Sequence, residues 1–598
     1  MSQSSNKVKH HLPRSRAGRV LFALAVTAIV GAVYFYVSLP ALNPQSGDFY
    51  GFVGLLCIVY TLVSLLTSGF GLEPEQTSAK GYLREYARFV KRQCLPVGAL
   101  FLLLVVVAAV GEVLSLPILR ASAYRDLLTV QDGDFSADIA EISFNEIPTL
   151  DRQSAEYLGD RQMGTLSDMV SQFEYSNDST QINYQGRPVR VAPIAYADLV
   201  KWFTNRSQGL PAYVLVDMVT QEAQVVRLPE GMKYSFSEPL NRNIMRHLRF
   251  HYPAMMFDTP QFEIDEEGTP YWIAPRMVKT IGLFGGVDIK GAVLVNAVTG
   301  ACQYYEDVPS WVDNLYTPQL IMEQYDYHGT LIRGFLNSVF GQRDVTVTTE
   351  GYNYIALNDD VYMYTGITSI NSDQSNLGFL LSNQRTKETK FYSAPGATEG
   401  AAQLSAQGVV QDLGYTATFP LLLNISGEPT YFIPLKDATD LVKSYAMVNV
   451  AQYQVVATGS TVSDCEQKYI QLLVQKGITT EEDLPQTEVH GVIAEIRSAV
   501  LDGNTYYFLR LEGGETFYTL SAAQDQVTVI LNVGDTVTIH HEVADGTSDI
   551  LRGTAVTLDR RGDGTAVPAV SGAPEVDPEP SEAPAGTADE TGTDLPAA

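Results

Sequence analysis

Three long apolar stretches break an otherwise mixed pattern of apolar and polar positions. Val20 to Leu39 and Phe49 to Phe70 contain no charged residue, and Leu95 to Leu119 contains only Glu112. A helix crosses a bilayer core with about 20 apolar residues, so each stretch predicts a transmembrane helix. Tyr82, Leu83, Tyr86, Phe89 and Val90 recur at helical spacing and predict an amphipathic lead-in to the third. Beyond Arg120 the pattern changes. Short runs of β-branched and aromatic residues with polar centres alternate with helix-like segments, which predicts an α+β fold with antiparallel sheets.

Orientation follows from basic residues in short loops. The segment before the first span carries Lys7, Lys9, Arg14, Arg16 and Arg19 without an acid, and the second loop carries Lys80, Arg84, Arg88, Lys91 and Arg92. Asp48 is the sole charge in the first loop. The tail 1–19 and the loop 71–94 within the membrane domain 20–119 are therefore expected in the cytoplasm. Everything after the third span is expected outside it. The first stretch exceeds a signal-peptide core and a second span follows at once, so an uncleaved anchor is expected. Glu112, near the outer end of its span, is expected to reach the interface. Gly51, Gly54, Ser64 and Ser68 on the second span allow close helix packing.

The outer region repeats itself. VLVDMVTQEAQVV at 214–226 and VLVNAVTGACQYY at 293–305 align without a gap, and FLLSNQRTKETKFY at 379–392 is a looser third copy. Asp217 and Asn296 suit a turn through their side chains, and Gly300 suits a positive φ. These predict β-hairpins. Gly-x-Pro followed by aromatics also recurs, at Gly209-Leu210-Pro211, Gly268-Thr269-Pro270 and Gly427-Glu428-Pro429. Proline lacks a ladder N–H and belongs at a strand start. Helix-like NRNIMRHLRF and AAQLSAQGVVQDLG precede two of these turns. The expected layout is a connector over 120–190 and a tandem α+β region over 191–480, with a helix at Thr461–Gln475.

The strand–turn–strand VNAVTGACQYY, and next VDMVTQEAQVV, resemble the signature of PepSY-type domains, small units of a helix against an antiparallel sheet. The insert Arg276–Lys290 departs from that pattern. The resemblance implies an extracytoplasmic location and a binding or regulatory role.

Residues 486–560 read as five strands, HGVIAEIRSAV, TYYFLRLE, ETFYTL, DTVTIHHEV and ILRGTAVTL, with SAAQDQVTVIL as a connector after the third. This order is similar to an OB-type barrel, with a small SH3-like barrel as the alternative. Residues 562–598 are mostly Pro, Ala, Glu, Asp, Gly and Thr. They cannot bury enough surface to offset chain entropy and are expected to be disordered.

Charge narrows the function. Through Leu119 there are 10 Lys and Arg against 5 Asp and Glu, a balance of +5; with −28 for the whole chain, the remainder carries −33. That surface repels phosphate backbones, so no nucleic-acid partner is expected, and it repels anionic headgroups. Four cysteines make no disulfide framework. Cys302 and Cys465 are the one candidate pair, with two buried thiols as the competing reading.

Catalytic and metal motifs are weak. His247 and His251 share a helix face, but Leu248 stands where zinc peptidases place Glu, and the sequence suggests no third ligand. His540 and His541 are adjacent in a strand and face opposite ways. Gly282-Leu283-Phe284-Gly285-Gly286 lacks the strand and helix of a phosphate loop. The acids Asp265-Glu266-Glu267 and Asp359-Asp360 match no calcium loop. No catalytic residue, metal ligand or cofactor is assigned.

Tyr213, Tyr271, Trp272, Trp311, Tyr431 and Phe432 are the candidate contacts for a peptide or partner, against a competing reading as core. Open sheet edges offer strand addition. The sequence therefore points to a membrane-anchored binding or regulatory scaffold of the cell envelope with a protein partner. The alternatives are an envelope peptidase or cell-wall hydrolase with a dispersed site, or an accessory subunit of a membrane complex.

Overall fold

The computed structural model describes residues 16–68, 79–139, 147–357, 359–371, 375–479, 486–501, 504–522, 526–542 and 550–558. The acidic C-terminal tail and the basic residues before Arg16 lie outside these. The chain forms two compact units, divided between Leu484 and Pro485.

In the first unit α1 (Arg16–Ser38), α2 (Gly47–Ser68) and α3 (Ala79–Ser115) hold three candidate membrane spans of 22, 21 and 25 residues. This is a multi-pass membrane protein by length and composition. α3 is continuous from the lead-in and passes through Pro96. The helix breaks at Leu116, and Pro117 opens α4 (Pro117–Arg125), so the apolar run to Leu119 is two helices. Gly54 faces the ring of Phe101 on α3, and Gln93 donates to Ser64 Oγ at 3.3 Å.

β1 (Val130–Gly133) and α5 (Phe135–Asp138) lead into a unit that occurs four times. The first has α6 (Arg152–Gly164), β2 (Phe173–Tyr175), β3 (Thr180–Tyr184) and β4 (Arg187–Tyr196). It continues through α7 (Leu199–Asn205) to β5 (Leu210–Asp217) and β6 (Ala223–Met232). The second has α8 (Ile244–His251), β7 (Met256–Phe257), β8 (Gln261–Ile264), β9 (Pro270–Ile281), β10 (Gly285–Asn296) and β11 (Cys302–Tyr305). The third has α9 (Pro318–Thr330), β12 (Thr346–Thr348), β13 (Asn353–Leu357), β14 (Asp360–Ser369), β15 (Ser375–Asn383) and β16 (Thr389–Ala397). The fourth has α10 (Glu399–Val409), β17 (Thr416–Ala417), β18 (Leu421–Ile425), β19 (Glu428–Lys436), β20 (Val442–Asn449) and β21 (Val456–Gly459), followed by α11 (Val462–Gln475). The segment 120–190, read as a connector, thus contains the helix and first strands of a repeat.

All four sheets share one topology. Two short strands lie end to end along one edge of the third strand, and the third, fourth and fifth form an antiparallel meander. β1 adds in parallel to β16 and widens the third sheet. Local chemistry starts each helix. Asp151, Asn243 and Thr398 cap α6, α8 and α10 by accepting backbone N–H groups, and Pro318 opens α9.

The turn between fourth and fifth strands is the same in three repeats. Asp217, Asn296 and Asn383 each accept the N–H groups two and three residues on. The residue four on, Gln221, Gly300 or Lys387, holds a positive φ. Two of these are not glycine, so the side-chain hydrogen bonds enforce a conformation the sequence shows openly only at Gly300. The Gly-x-Pro signal divides differently. Gly268 and Gly427 precede third strands, and their equivalent in the first repeat is Gly186-Arg187-Pro188, entering β4. Gly209-Leu210-Pro211 instead enters a fourth strand, β5.

The repeats pack in pairs. One core joins Ile182, Val191 and Val214 of the first to Phe262, Trp272 and Val293 of the second; another joins Tyr364 and Phe379 of the third to Leu423, Phe432 and Met447 of the fourth. The second repeat sits on the spans. Leu42 N donates to Pro253 O at 2.7 Å, and Arg249 Nε to Leu39 O at 3.0 Å. Ser115 Oγ accepts from the N–H groups of Leu283 and Phe284, both at 3.0 Å. The glycine-rich loop 282–286 is therefore the β9–β10 hairpin, fitted over the end of α3.

The second unit is a five-stranded barrel: β22 (Gln486–Leu501), β23 (Asn504–Leu511), β24 (Phe517–Ser521), β25 (Thr536–Glu542) and β26 (Ile550–Leu558). The circuit is β22-β23-β24-β26-β25 and closes on β22, with β24 and β26 parallel. A 3₁₀ turn, Gln526–Ile530, occupies the expected connector. Ile493, Leu509, Leu520, Val537, Ile539 and Val556 fill it.

Candidate functional site

Four of the six aromatic candidates belong to the core. Trp272, Tyr431 and Phe432 are fully buried and Tyr213 nearly so. Their polar atoms are used internally: Trp272 Nε1 donates to Tyr234 O, Tyr213 Oη to Gly268 O and Tyr431 Oη to Ala397 O. They cannot meet a partner without unfolding a sheet. Tyr271 and Trp311 are partly exposed and pack on each other, ring centroids 5.1 Å apart. Cys302 and Cys465 are free thiols, packed in different cores and each directed at its own local carbonyl, Gly300 O and Ala457 O. The candidate disulfide is not formed. Asp265 holds the β8–β9 turn, and Asp360 pairs with Arg385 at 2.7 Å, so neither acid cluster is idle.

The site that sequence reasoning missed is a polar cavity of about 480 Å³ where residues of all four repeats converge. Its walls include Arg152, Glu156 and Arg190 of the first repeat, Gln261 of the second, Tyr352 and Tyr354 of the third, and Phe419 of the fourth. β4 positions Arg190 between Val189 and Val191, with only 4% of its surface exposed. Its guanidinium donates through Nη1 to Ser179 O at 3.3 Å and Ser179 Oγ at 3.1 Å. Nε is buried without a partner among the described residues.

The neighbouring carboxylates are committed elsewhere. Glu156 takes Arg152 Nε at 2.8 Å and Ser179 Oγ at 2.8 Å. Asp151 caps α6 and pairs with Lys436 at 2.9 Å. Burial pulls the Arg190 guanidinium below the usual arginine range, yet arginine keeps its proton in proteins. A buried cation without its own counter-ion is unfavourable unless something else meets it. Chemically, an anionic, hydrogen-bond-accepting group would offset the buried charge.

The buried acids lie outside this cavity. Glu263 is fully buried and accepts the N–H groups of Asp313 (3.0 Å) and Asn314 (2.9 Å), and burial pushes its carboxyl up to about 7. Burial and the Glu263 charge hold Asp313 well above the usual carboxylate range. These groups tie the second repeat to Asn183 of the first, whose N–H Asp313 accepts. No family model matches the chain, and no curated protein matches it.

Arg190 did leave a trace in the sequence. It is a lone charge inside the run PVRVAPIAY, in a strand that beyond the exposed Arg187 is otherwise apolar on both faces. A strand buried on both sides has no solvated face for it.

Proposed function

We propose that this protein is a membrane-anchored, extracytoplasmic binding scaffold of the cell envelope, and that an anionic group of a protein partner enters the Arg190 cavity. The carrying observation is the buried Arg190 in the wall of a 480 Å³ polar cavity, with Nε unpartnered and no carboxylate paired to its guanidinium among the described residues. Arginine presents a planar fork suited to a carboxylate, and its hydrogen bonds there are charge-assisted. Basic residues flanking the spans on one side support the outward placement of the acidic region. The recurring helix-and-meander order supports a relation of the repeats to PepSY-type domains. The closing order of the barrel, with its third and fifth strands, β24 and β26, paired in parallel, supports an OB-type relation.

A photo-crosslinking residue at the exposed rim position Gln319 tests this in intact cells. The expected result is an adduct with a different envelope protein that is lost on Arg190→Gln. Adducts unchanged by that substitution, or formed only with the chain itself, would count against the reading. Protease added to whole cells is expected to cut the outer region; cleavage confined to inverted vesicles would reverse the orientation.

A further inference from the structure

α8 and the hairpin turn after β10 gather three metal-ligating side chains. His247 and His251 stand one helical turn apart on α8, and Cys302 opens β11. One ligand atom from each lies within 4.8 Å of the others. Leu248, between the two histidines, is fully buried and pins the helix into the core. The thiol is therefore brought to the histidine face by tertiary packing across 50 residues of chain.

Each imidazole already has one nitrogen engaged with a backbone carbonyl. His247 Nε2 is 2.8 Å from Gly300 O, and His251 Nδ1 is 2.8 Å from His247 O. A carbonyl only accepts, so those nitrogens carry the protons, and each neutral ring keeps one lone-pair nitrogen. In metal sites a ligating histidine commonly has its other ring N–H on a carbonyl, which fixes tautomer and orientation. No carboxylate pairs with either ring among the described residues. The ring of Tyr234 lies against His247 at 4.4 Å, and a Cβ at Gly300 would overlap that tyrosine, so the turn is held close.

The repeats supply an internal comparison. At the turn position of Cys302 the first repeat has Ala223 and the third has Thr389, and both build the same hairpin. The architecture does not require a thiol there, nor two histidines on the repeat's helix.

We propose that His247, His251 and Cys302 form a zinc(II) site with an open fourth position. Two neutral imidazoles and one thiolate are borderline-to-soft donors, the set zinc favours. Tetrahedral zinc, with bonds of about 2.0–2.3 Å, needs donor atoms roughly 3.3–3.6 Å apart. Closing from 4.8 Å to that spacing takes movements of roughly an ångström among the three side chains, of which His251 is exposed. Binding replaces the Cys302 S–H bond with an S–Zn bond and releases one proton to solvent. Three protein ligands leave the fourth place to water or to a small donor from solution. The proposal does not rest on the reading of the Arg190 cavity.

The test uses the full chain in detergent, reduced and stripped of metal. One equivalent of cobalt(II) is expected to bring up thiolate-to-cobalt charge-transfer absorption, which zinc(II) then abolishes. Zinc is expected to slow iodoacetamide alkylation of Cys302, mapped by mass spectrometry, at least tenfold while Cys94 serves as the internal reference. Cys302→Ser and His251→Ala are each expected to weaken zinc binding on the order of 100-fold, at or beyond the loss that outer-shell changes produce. Cobalt binding without the charge-transfer band, unchanged Cys302 alkylation in zinc, or undiminished zinc affinity of Cys302→Ser would overturn the proposal. The alkylation measurement on the unaltered chain decides the matter even if a variant fails to fold.

Discussion

Asp217 and Asn296 do the same work in successive sheets: one side-chain oxygen of each takes two backbone N–H groups, at 2.9 and 2.8 Å in the first turn and 3.1 and 2.9 Å in the second. The acceptor is what the turn requires, since Asn383 makes the third turn in the same way, and the Asp217 charge adds only a 3.7 Å pair with the exposed Arg187. Alanine at either position orphans two donors, and a typical hydrogen bond contributes about 0.5–1.5 kcal/mol. Asp217→Ala and Asn296→Ala should each lower stability by about 1–2 kcal/mol, seen as a lower thermal midpoint. Asp217→Asn should leave that midpoint almost unmoved.

Glu263 makes stability depend on pH near neutrality. Burial raises its folded carboxyl from the ordinary 4.5 to about 7, and the Asp313 carboxyl beside it is raised as well. Between those values the folded chain holds a proton that the unfolded chain gives up, so stability falls as pH rises through this window. Thermal midpoints should therefore be higher at pH 5 than at pH 7.5. Glu263→Gln, which has no such proton to lose, should flatten the profile in that interval. An equally steep profile in the variant would assign the effect to other groups.

Lys436 and Asp151 tie the fourth repeat to the first at 2.9 Å, with the lysine side chain only 7% exposed. Removing one partner strands the other in a partly desolvated place, so Lys436→Ala should cost about 2–3 kcal/mol. The pH sign here is opposite. Burial alone would raise the Asp151 carboxyl, but hydrogen bonds from Ser154 and Lys436 outweigh it and hold it below its usual value. Its contribution is present above the ordinary 3.8 and is lost as pH falls through the lower folded value. Acid unfolding of Lys436→Ala should accordingly show a weaker dependence below pH 4.

Arg190 should be costly to stability in the absence of a partner. Replacing a buried ionic group by an apolar one of similar size is often neutral or stabilising by about 1–4 kcal/mol. Arg190→Met is expected to raise the thermal midpoint of the purified chain while abolishing the crosslink from position 319. A lowered midpoint would mean that the guanidinium is a structural tie to Ser179.

Much of the local structure was readable along the chain. The three spans, the VLVDMVTQ and VLVNAVTG hairpins, the helix at Thr461–Gln475 and all five barrel strands stand where hydrophobic period and turn chemistry place them. The repeat over 152–232 was half hidden, because its short strands β2 and β3 have three and five residues and carry little periodic signal. Aromatic residues were the poorest guide. Trp272 and Phe432 alternate along strands as a partner-facing row would, but both faces of those strands are covered.

What the sequence determined alone is whatever depends on near neighbours: span length, strand alternation, the Asx turns and the helix caps. The number of repeats, their packing in pairs, the sealing of Arg190 beside a cavity and the meeting of Cys302 with His247 and His251 all come from long-range packing. The reason is physical. Hydrogen bonds within a turn or helix act over a few residues, whereas burial and ligand geometry depend on which distant segments meet, and that is set by the packing of whole sheets.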